Sequence, residues 1–123
     1  MRKQYFFKAS HRGLLAWDVD RLVALSAALP RKRVRLDQIR ELEEGFHGDD
    51  DRPTWRAFID HMRLVEDADL SFPIILSASG DVMDGMHRVA KSLLRGRTDI
   101  EAVQFERDPV PDHVGRGPSE LPY

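Results

Sequence analysis

Five consecutive residues, Asp84-Gly85-Met86-His87-Arg88, combine an acid, a glycine, an imidazole and a guanidinium. They follow an apolar run at Pro73 to Leu76 and a short Val82-Met83 segment. Phosphate is bound in proteins by N–H donors and positive charge, and a glycine lets a ligand approach the backbone closely. The spacing therefore predicts a phosphate-binding corner between a strand and a helix.

A helical pattern begins inside this motif. Met86, Val89, Ala90, Leu93 and Leu94 recur at i, i+3, i+4, i+7 and i+8, which is one apolar stripe of an α-helix. We expect Asp84 to be the N-cap, because its carboxylate can accept from the free amides of the first turn. Those amides and the helix dipole favour an anion, and His87 and Arg88 fall in the same turn. Gly96 is expected to end the helix.

A basic face lies beside that stripe, because Arg88, Lys91 and Arg95 are at i, i+3 and i+7. This pattern predicts that Gly85, His87, Arg88 and Lys91 take part in binding a phosphate. An alternative stays open, in which Asp84 only caps the helix, Gly85 only turns the chain and the basic face is solvated.

The other elements are predicted from periodicity and from breakers. We expect helices at 18–29, capped by Asp18, and at 53–68, with a buried stripe of Trp55, Phe58, Ile59, Met62 and Val65. Strands are expected at 31–36, 73–76, 82–83 and 100–105, with 36–44 either a strand and turn or a short helix, and a loop at 45–52. Residues 1–107 are predicted to form one domain. Residues 108–123, rich in proline, are predicted to be an extended or partly disordered tail.

The amino-acid composition excludes some classes of function. The 123 residues carry 19 Lys and Arg against 21 Asp and Glu, a net charge of −2, which argues against duplex nucleic acid as the main ligand, although local basic patches leave it open. There is no cysteine, so disulfides and thiol chemistry are excluded. No long apolar run predicts a membrane span or a secretory signal, and we expect a cytoplasmic protein. His47 and Asp49 to Asp51 lack the spacing of a closed metal site, so no metal ligand is assigned.

The region from Pro73 to Phe105 resembles the core of the ParB/sulfiredoxin superfamily. Its members carry a strand hairpin, then a Gly-x-x-Arg element that opens a helix, then a glycine and a strand. The likeness is vague over residues 34–44, where Val34 to Ile39 resemble the early strand and turn of such domains, whereas residues 1–30 and the tail show no likeness. The resemblance implies an α+β fold with a small mixed β-sheet and about three helices.

The motif separates the activities of the superfamily in part. Sulfiredoxins need a cysteine where this chain has Met86, and a thioether cannot attack a sulfinyl phosphate, so that activity is rejected. Partition ParB proteins place a DNA-binding region after the last strand, and only residues 106–123 follow it here. Asp84 to Arg88 is most similar to the Asp-Gly-His-His-Arg of free serine kinases, from which it differs only at Met86.

The kinase resemblance implies a nucleoside di- or triphosphate with Mg²⁺ as cofactor. It also implies Asp84 on the phosphate or metal side, with Gly85 and the amides from Met86 onward holding the phosphate. His87 and Arg88 would contact the phosphate oxygens. A glutamate from the early strand region would be the general base, for which Glu41, Glu43 and Glu44 are all candidates. We therefore expect a small nucleotide- or phosphate-binding domain, with phosphotransfer to a small molecule as one activity. The alternative is a non-catalytic ParB-like module that acts through a protein or nucleic-acid partner. The oligomeric state is not predicted.

Overall fold

The computed structural model describes residues 3–45 and 54–123. Over these ranges the chain is α+β, and its α-helices and β-strands follow in the order β1 (Tyr5–Ser10), β2 (Gly13–Asp18), α1 (Val19–Ser26), β3 (Lys32–Arg35), α2 (Trp55–Asp67), β4 (Ile74–Leu76), β5 (Val82–Asp84), α3 (Met86–Leu94), β6 (Asp99–Gln104) and β7 (His113–Val114). Short 3-10 turns occupy Leu36–Gln38, Arg40–Glu43 and Pro118–Glu120. Most of the predicted loop, residues 46–52, lies outside the described residues, and so does Pro53. His47 and Asp49 to Asp51 belong to that part of the loop.

A mixed four-stranded sheet in the order β3-β6-β4-β5 positions the candidate site. β4 runs parallel to β6, and the other two pairs are antiparallel. Alternate side chains of a strand point to opposite faces, so Ile74 joins one core cluster with Val89 of α3, and Ile75 joins another with Leu22 of α1. The sheet is thus covered on both faces, and β5 leads directly into α3.

A second sheet, in the order β1-β2-β7, corrects the prediction of one small sheet. β1 and β2 form an antiparallel hairpin from Tyr5 to Asp18, where the sequence shows no clear period. The side chains of β1 are partly buried or exposed without strict alternation, and this hides the strand from a pattern search. The hairpin packs Trp17 and Phe6 against the face of the mixed sheet that α1 covers.

The predicted cap of α1 agrees with the structure, and the predicted bounds of α1 and α2 agree with it in part. Asp18 caps α1 as predicted, accepting from the amide of Asp20 at 2.9 Å, but α1 ends at Ser26 rather than Leu29. α2 is capped by Thr54, whose hydroxyl accepts from the amide of Ala57 at 3.1 Å.

The prediction of a buried stripe on α2 is wrong. Val65 at its C-terminal end is 3% exposed, whereas Trp55 at its start is 82% exposed, and Phe58, Ile59 and Met62 are exposed as well. Apolar spacing shows which side chains share a face of a helix, but the tertiary structure decides how much of that face is covered.

The proline-rich tail contains a short strand and a 3-10 turn, and it is attached to the hairpin. β7 pairs with β2, the indole of Trp17 donates to the carbonyl of Pro109 at 2.8 Å, and Leu121 is buried. The tail therefore contributes a strand and an apolar anchor to the fold.

Candidate functional site

The candidate site is the corner where β5 turns into α3. Gly85 stands at the N-cap with φ of 113°, in the left-handed region that L side chains rarely adopt. A Cβ atom there would lie 2.6 Å from Cγ2 of Ile74, so glycine is also required by packing. The bare backbone brings the start of α3 down onto the sheet.

The first turn of α3 has no side-chain cap among the described residues. The amide of Val89 donates to the carbonyl of Gly85 at 3.0 Å, which is the first hydrogen bond of the helix. The amides of Met86, His87 and Arg88 come before Val89 in the first turn. Helix geometry supplies no carbonyl to those amides. They carry the positive end of the helix dipole, which is where an anion is favoured.

Asp84 is not the N-cap, and this prediction is wrong. Its carboxylate accepts instead from the guanidinium of Arg88 at 2.8 Å, one helical turn away. No side-chain hydrogen bond reaches the first-turn amides of α3 among the described residues, so the carboxylate does not satisfy them. As a result those amides stay available to a ligand.

Arg88 is held inside the protein. Its guanidinium donates to Asp84 and, at 2.9 Å, to the carbonyl of Pro73, and its side chain is 16% exposed. Arg88 therefore fixes α3 to β5 and to the segment before β4. In this arrangement it positions the corner rather than presenting a free cation to a phosphate.

Lys91 and Arg95, on the predicted basic face, join α3 to α2. The ammonium of Lys91 donates to the carbonyl of Glu66 at 2.6 Å and to that of Ala68 at 2.9 Å. Arg95 pairs with the carboxylate of Glu66 at 3.2 Å. Cations near the last carbonyls of a helix complement its dipole, so Lys91 acts on the C-terminus of α2.

His87 is half-buried, and its ring centroid lies 5.0 Å from that of His61 on α2. Burial lowers the pKa of His87 below the ordinary 6.5, and the neighbouring His61 lowers it further. The neutral ring is thus favoured near pH 7. A neutral imidazole offers one N–H donor and one acceptor to a ligand.

Two cavities meet at this corner, and both are lined by Gln4, Asp84, Gly85 and His87. The first, of about 700 Å³, lies between α1, the end of α2 and the mixed sheet, with an apolar wall of Val23, Leu29, Leu64, Phe72, Ile75 and Val103. The second, of about 890 Å³, lies between α3, the hairpin and the tail, with Lys3, Tyr5, Met86 and Ser119 in its lining. Such volumes are those of small-molecule sites.

The hairpin and the tail thus contribute lining residues that sequence reasoning missed. Lys3, whose ammonium also pairs with Asp18 at 2.7 Å, and Tyr5 line the second cavity, and Gln4 lines both. The first residues are rich in basic and aromatic side chains, but nothing local indicates which part of the fold the hairpin would cover.

The three candidate bases do not line either cavity. Glu43 and Glu44 are exposed, and Glu44 pairs with Arg40 at 3.6 Å. Glu41 accepts from the amide of Val82 at 2.6 Å through Oε2, while its Oε1 is buried without a hydrogen-bond partner among the described residues. Its one observed role is to hold the start of β5.

Metal and membrane sites are not found in the described part of the chain. No group of three or more His, Cys, Asp or Glu residues there is placed to hold a metal ion. Within residues 3–45 and 54–123 no helix qualifies as a membrane span, since α2, with 13 residues, falls short of the roughly 20 that a bilayer needs.

Comparisons with known proteins identify no relative. The chain matches no family model, and neither a curated protein nor a solved structure is similar enough to be matched.

Proposed function

We propose that this protein is a phosphate-binding domain whose ligand, a nucleotide or another phosphorylated small molecule, places its phosphate at the start of α3. One observation carries the proposal: the first turn of α3 lacks a side-chain cap among the described residues, and Gly85, Met86 and His87 of this turn line a cavity. Backbone amides, the helix dipole and the N–H of His87 supply the donors that a phosphate needs.

The proposal is for binding rather than for phosphoryl transfer. Transfer to a hydroxyl needs a base within reach of the substrate, and Glu41, Glu43 and Glu44 are absent from the lining of both cavities. A Mg²⁺ ion would arrive with the phosphates of a nucleotide, with Asp84 as the carboxylate common to both cavities. We further propose a ParB/sulfiredoxin-like origin, supported by the resemblance of residues 73–105, and a cytoplasmic protein, supported by a sequence with no cysteine and no long apolar run.

Two isosteric substitutions at Met86 test the proposal. Met86→Glu places a carboxylate at the first turn, where it competes with a bound anion but complements the helix dipole. Met86→Gln has the same shape without the charge. We expect the binding of pyrophosphate, measured by calorimetry, to weaken about tenfold or more in Met86→Glu, and to stay within about threefold of the wild type in Met86→Gln.

A thermal-shift series with pyrophosphate, ADP and ATP, with and without Mg²⁺, identifies the preferred phosphate ligand. A ligand that binds the native state raises the melting temperature by mass action. Equal shifts in Met86→Glu and Met86→Gln would contradict a phosphate at the start of α3. Absence of any shift in the wild type at millimolar ligand would contradict the proposal as a whole.

A further inference from the structure

The first cavity has an apolar wall that phosphate binding does not use. Val23 of α1, Leu64 of α2 and Phe72 before β4 all line it, and each is about half exposed or more, Phe72 at 60%. Apolar side chains exposed singly are ordinary, whereas several that line one cavity mark a binding surface.

The polar end of this cavity is the candidate phosphate site. Gln4, Asp84, Gly85 and His87 line both cavities, so a ligand with its phosphate at α3 has its organic part directed along one of them. A volume of about 700 Å³ exceeds what the side chain of a small hydroxy acid can fill. The exposed ring of Phe72 offers an aromatic surface for offset stacking.

We infer that the first cavity binds the organic part of the ligand, and that the ligand is a phosphate ester with an aromatic ring system. This inference rests on the proposed function, because it needs the phosphate at α3 to orient the ester. The chemical class includes nucleotides and aryl phosphates, and it leaves out short aliphatic esters such as phosphoserine. Phe72 and the apolar wall are then the determinants of specificity.

Calorimetry with four ligands tests the inference: inorganic phosphate, O-phosphoserine, n-octyl phosphate and 1-naphthyl phosphate. Burial of two fused rings against an apolar wall is worth roughly thirtyfold or more in affinity. We therefore expect 1-naphthyl phosphate to bind at least about thirtyfold more tightly than inorganic phosphate or O-phosphoserine. AMP, compared with ribose 5-phosphate, distinguishes a nucleotide from an aryl phosphate within the class.

Two matched pairs of variants localise the ring. Ala27 lines the cavity and Ala28 does not, and both are exposed at the end of α1, so Ala27→Phe fills the cavity whereas Ala28→Phe is its control. Phe72→Ala removes the stacking surface, and Phe58→Ala, on the exposed face of α2, is its control. Ala27→Phe and Phe72→Ala should each reduce the affinity for 1-naphthyl phosphate, relative to that for inorganic phosphate, by about tenfold. Both controls should keep this ratio, and all four variants should retain binding of inorganic phosphate.

The outcomes separate this inference from the function on which it rests. Equal affinities for 1-naphthyl phosphate and inorganic phosphate, unchanged in Ala27→Phe, would overturn the inference and leave phosphate binding intact. Equal or tighter binding of n-octyl phosphate would overturn the aromatic class. Binding of 1-naphthol as tight as that of its phosphate would overturn the proposed function, because the phosphate would then contribute nothing.

Discussion

Two aspartates near opposite ends of the three-residue strand β5 have different roles. Asp81 stands just before β5 and Asp84 is its last residue, and each pairs with an arginine. The buried carboxylate of Asp81 is bonded by side chains from several elements, whereas at Asp84 the backbone continues into a helix without a side-chain cap among the described residues, beside two cavities. The comparison separates a polar cluster that only holds the fold from one that leaves donors for a ligand.

The cluster at Asp81 is closed. Asp81 is 4% exposed, and its carboxylate accepts from Lys8 at 3.0 Å, from Arg40 and from the hydroxyls of Ser77 and Ser79. Burial raises the pKa of Asp81, but the hydrogen bonds from Lys8 and Arg40 outweigh it, so the pKa stays below the ordinary 3.8. A carboxylate satisfied on all sides ties the hairpin, the 3-10 turn and the mixed sheet together.

At the Asp84 corner the charged side chains are paired, but the first-turn amides of α3 have no side-chain cap among the described residues. The charges of Asp84 and Arg88 neutralise each other, whereas the positive end of the helix dipole at the first-turn amides is not neutralised by a side chain among the described residues. An unsatisfied helix terminus next to a cavity is stable only because solvent or a ligand reaches it. This difference, rather than the number of charged residues, is the basis for choosing the second region as the site.

The largest loss of stability is expected from replacing a glycine by alanine at the Asp84 corner, for which a glycine beside Asp81 is the comparison. Gly85→Ala should lower the free energy of unfolding by about 3 kcal/mol, because it combines a strained φ with a 2.6 Å clash against Ile74. Gly80, in the turn beside Asp81, has φ of 93° but open space around it, so Gly80→Ala should cost about 1 kcal/mol. Urea denaturation measures both, and equal losses would show that the close approach at α3 is unimportant.

Next in size is the loss of each carboxylate. Asp81→Asn should destabilise the protein by about 2 kcal/mol, since two cations lose a buried partner but remain open to water. Asp84→Asn should cost about 1 kcal/mol, because the amide oxygen can still accept from Arg88.

The contribution of Asp81 also depends on pH. Its pKa is lowered in the native state, so its stabilisation is present above pH 3.8 and is lost as the pH falls through the native value. The difference between wild type and Asp81→Asn should therefore shrink in acid. A difference independent of pH would contradict the ion pairs.

A smaller effect is expected from His87. Its pKa is lowered in the native state, so the unfolded chain binds a proton first, and stability is complete above pH 6.5 and falls as the pH drops below it. His87→Gln should flatten the fall in unfolding free energy between pH 7 and pH 5. His61, whose pKa burial also lowers, keeps its own part of the slope. His11→Gln, at an exposed residue of the hairpin turn, is the control, and a slope equal to that of His87→Gln would contradict the assignment.

The smallest effect is expected from Met86→His, which restores the histidine of the motif that the sequence resembles. A second imidazole at the first turn adds one donor, worth about threefold in the affinity for pyrophosphate. Met86→Gln is again the reference, because it too removes the thioether that packs on the core. Weaker binding in Met86→His than in Met86→Gln would argue against a phosphate at this position.

Local signals determined the part of the fold closest to the site. The positions of β4 and β5 to within one residue, the start of α3 near Met86, its end before Gly96 and the cap at Asp18 follow from periodicity and breakers, which act within a few residues. The first hairpin was not predicted, because its side chains do not alternate cleanly between core and solvent.

The sequence by itself determined an α+β fold and a glycine corner at the start of α3. Only the tertiary structure decided which groups of that corner remain available: Arg88 and Lys91 bind carbonyls and carboxylates of other elements, and Asp84 pairs with Arg88 instead of capping the helix. The exposure of α2 and the cavity that the hairpin and the tail form with α3 were decided there as well. The physical reason is that hydrogen-bond partners and coverage depend on residues distant in the chain, about which local spacing carries no information.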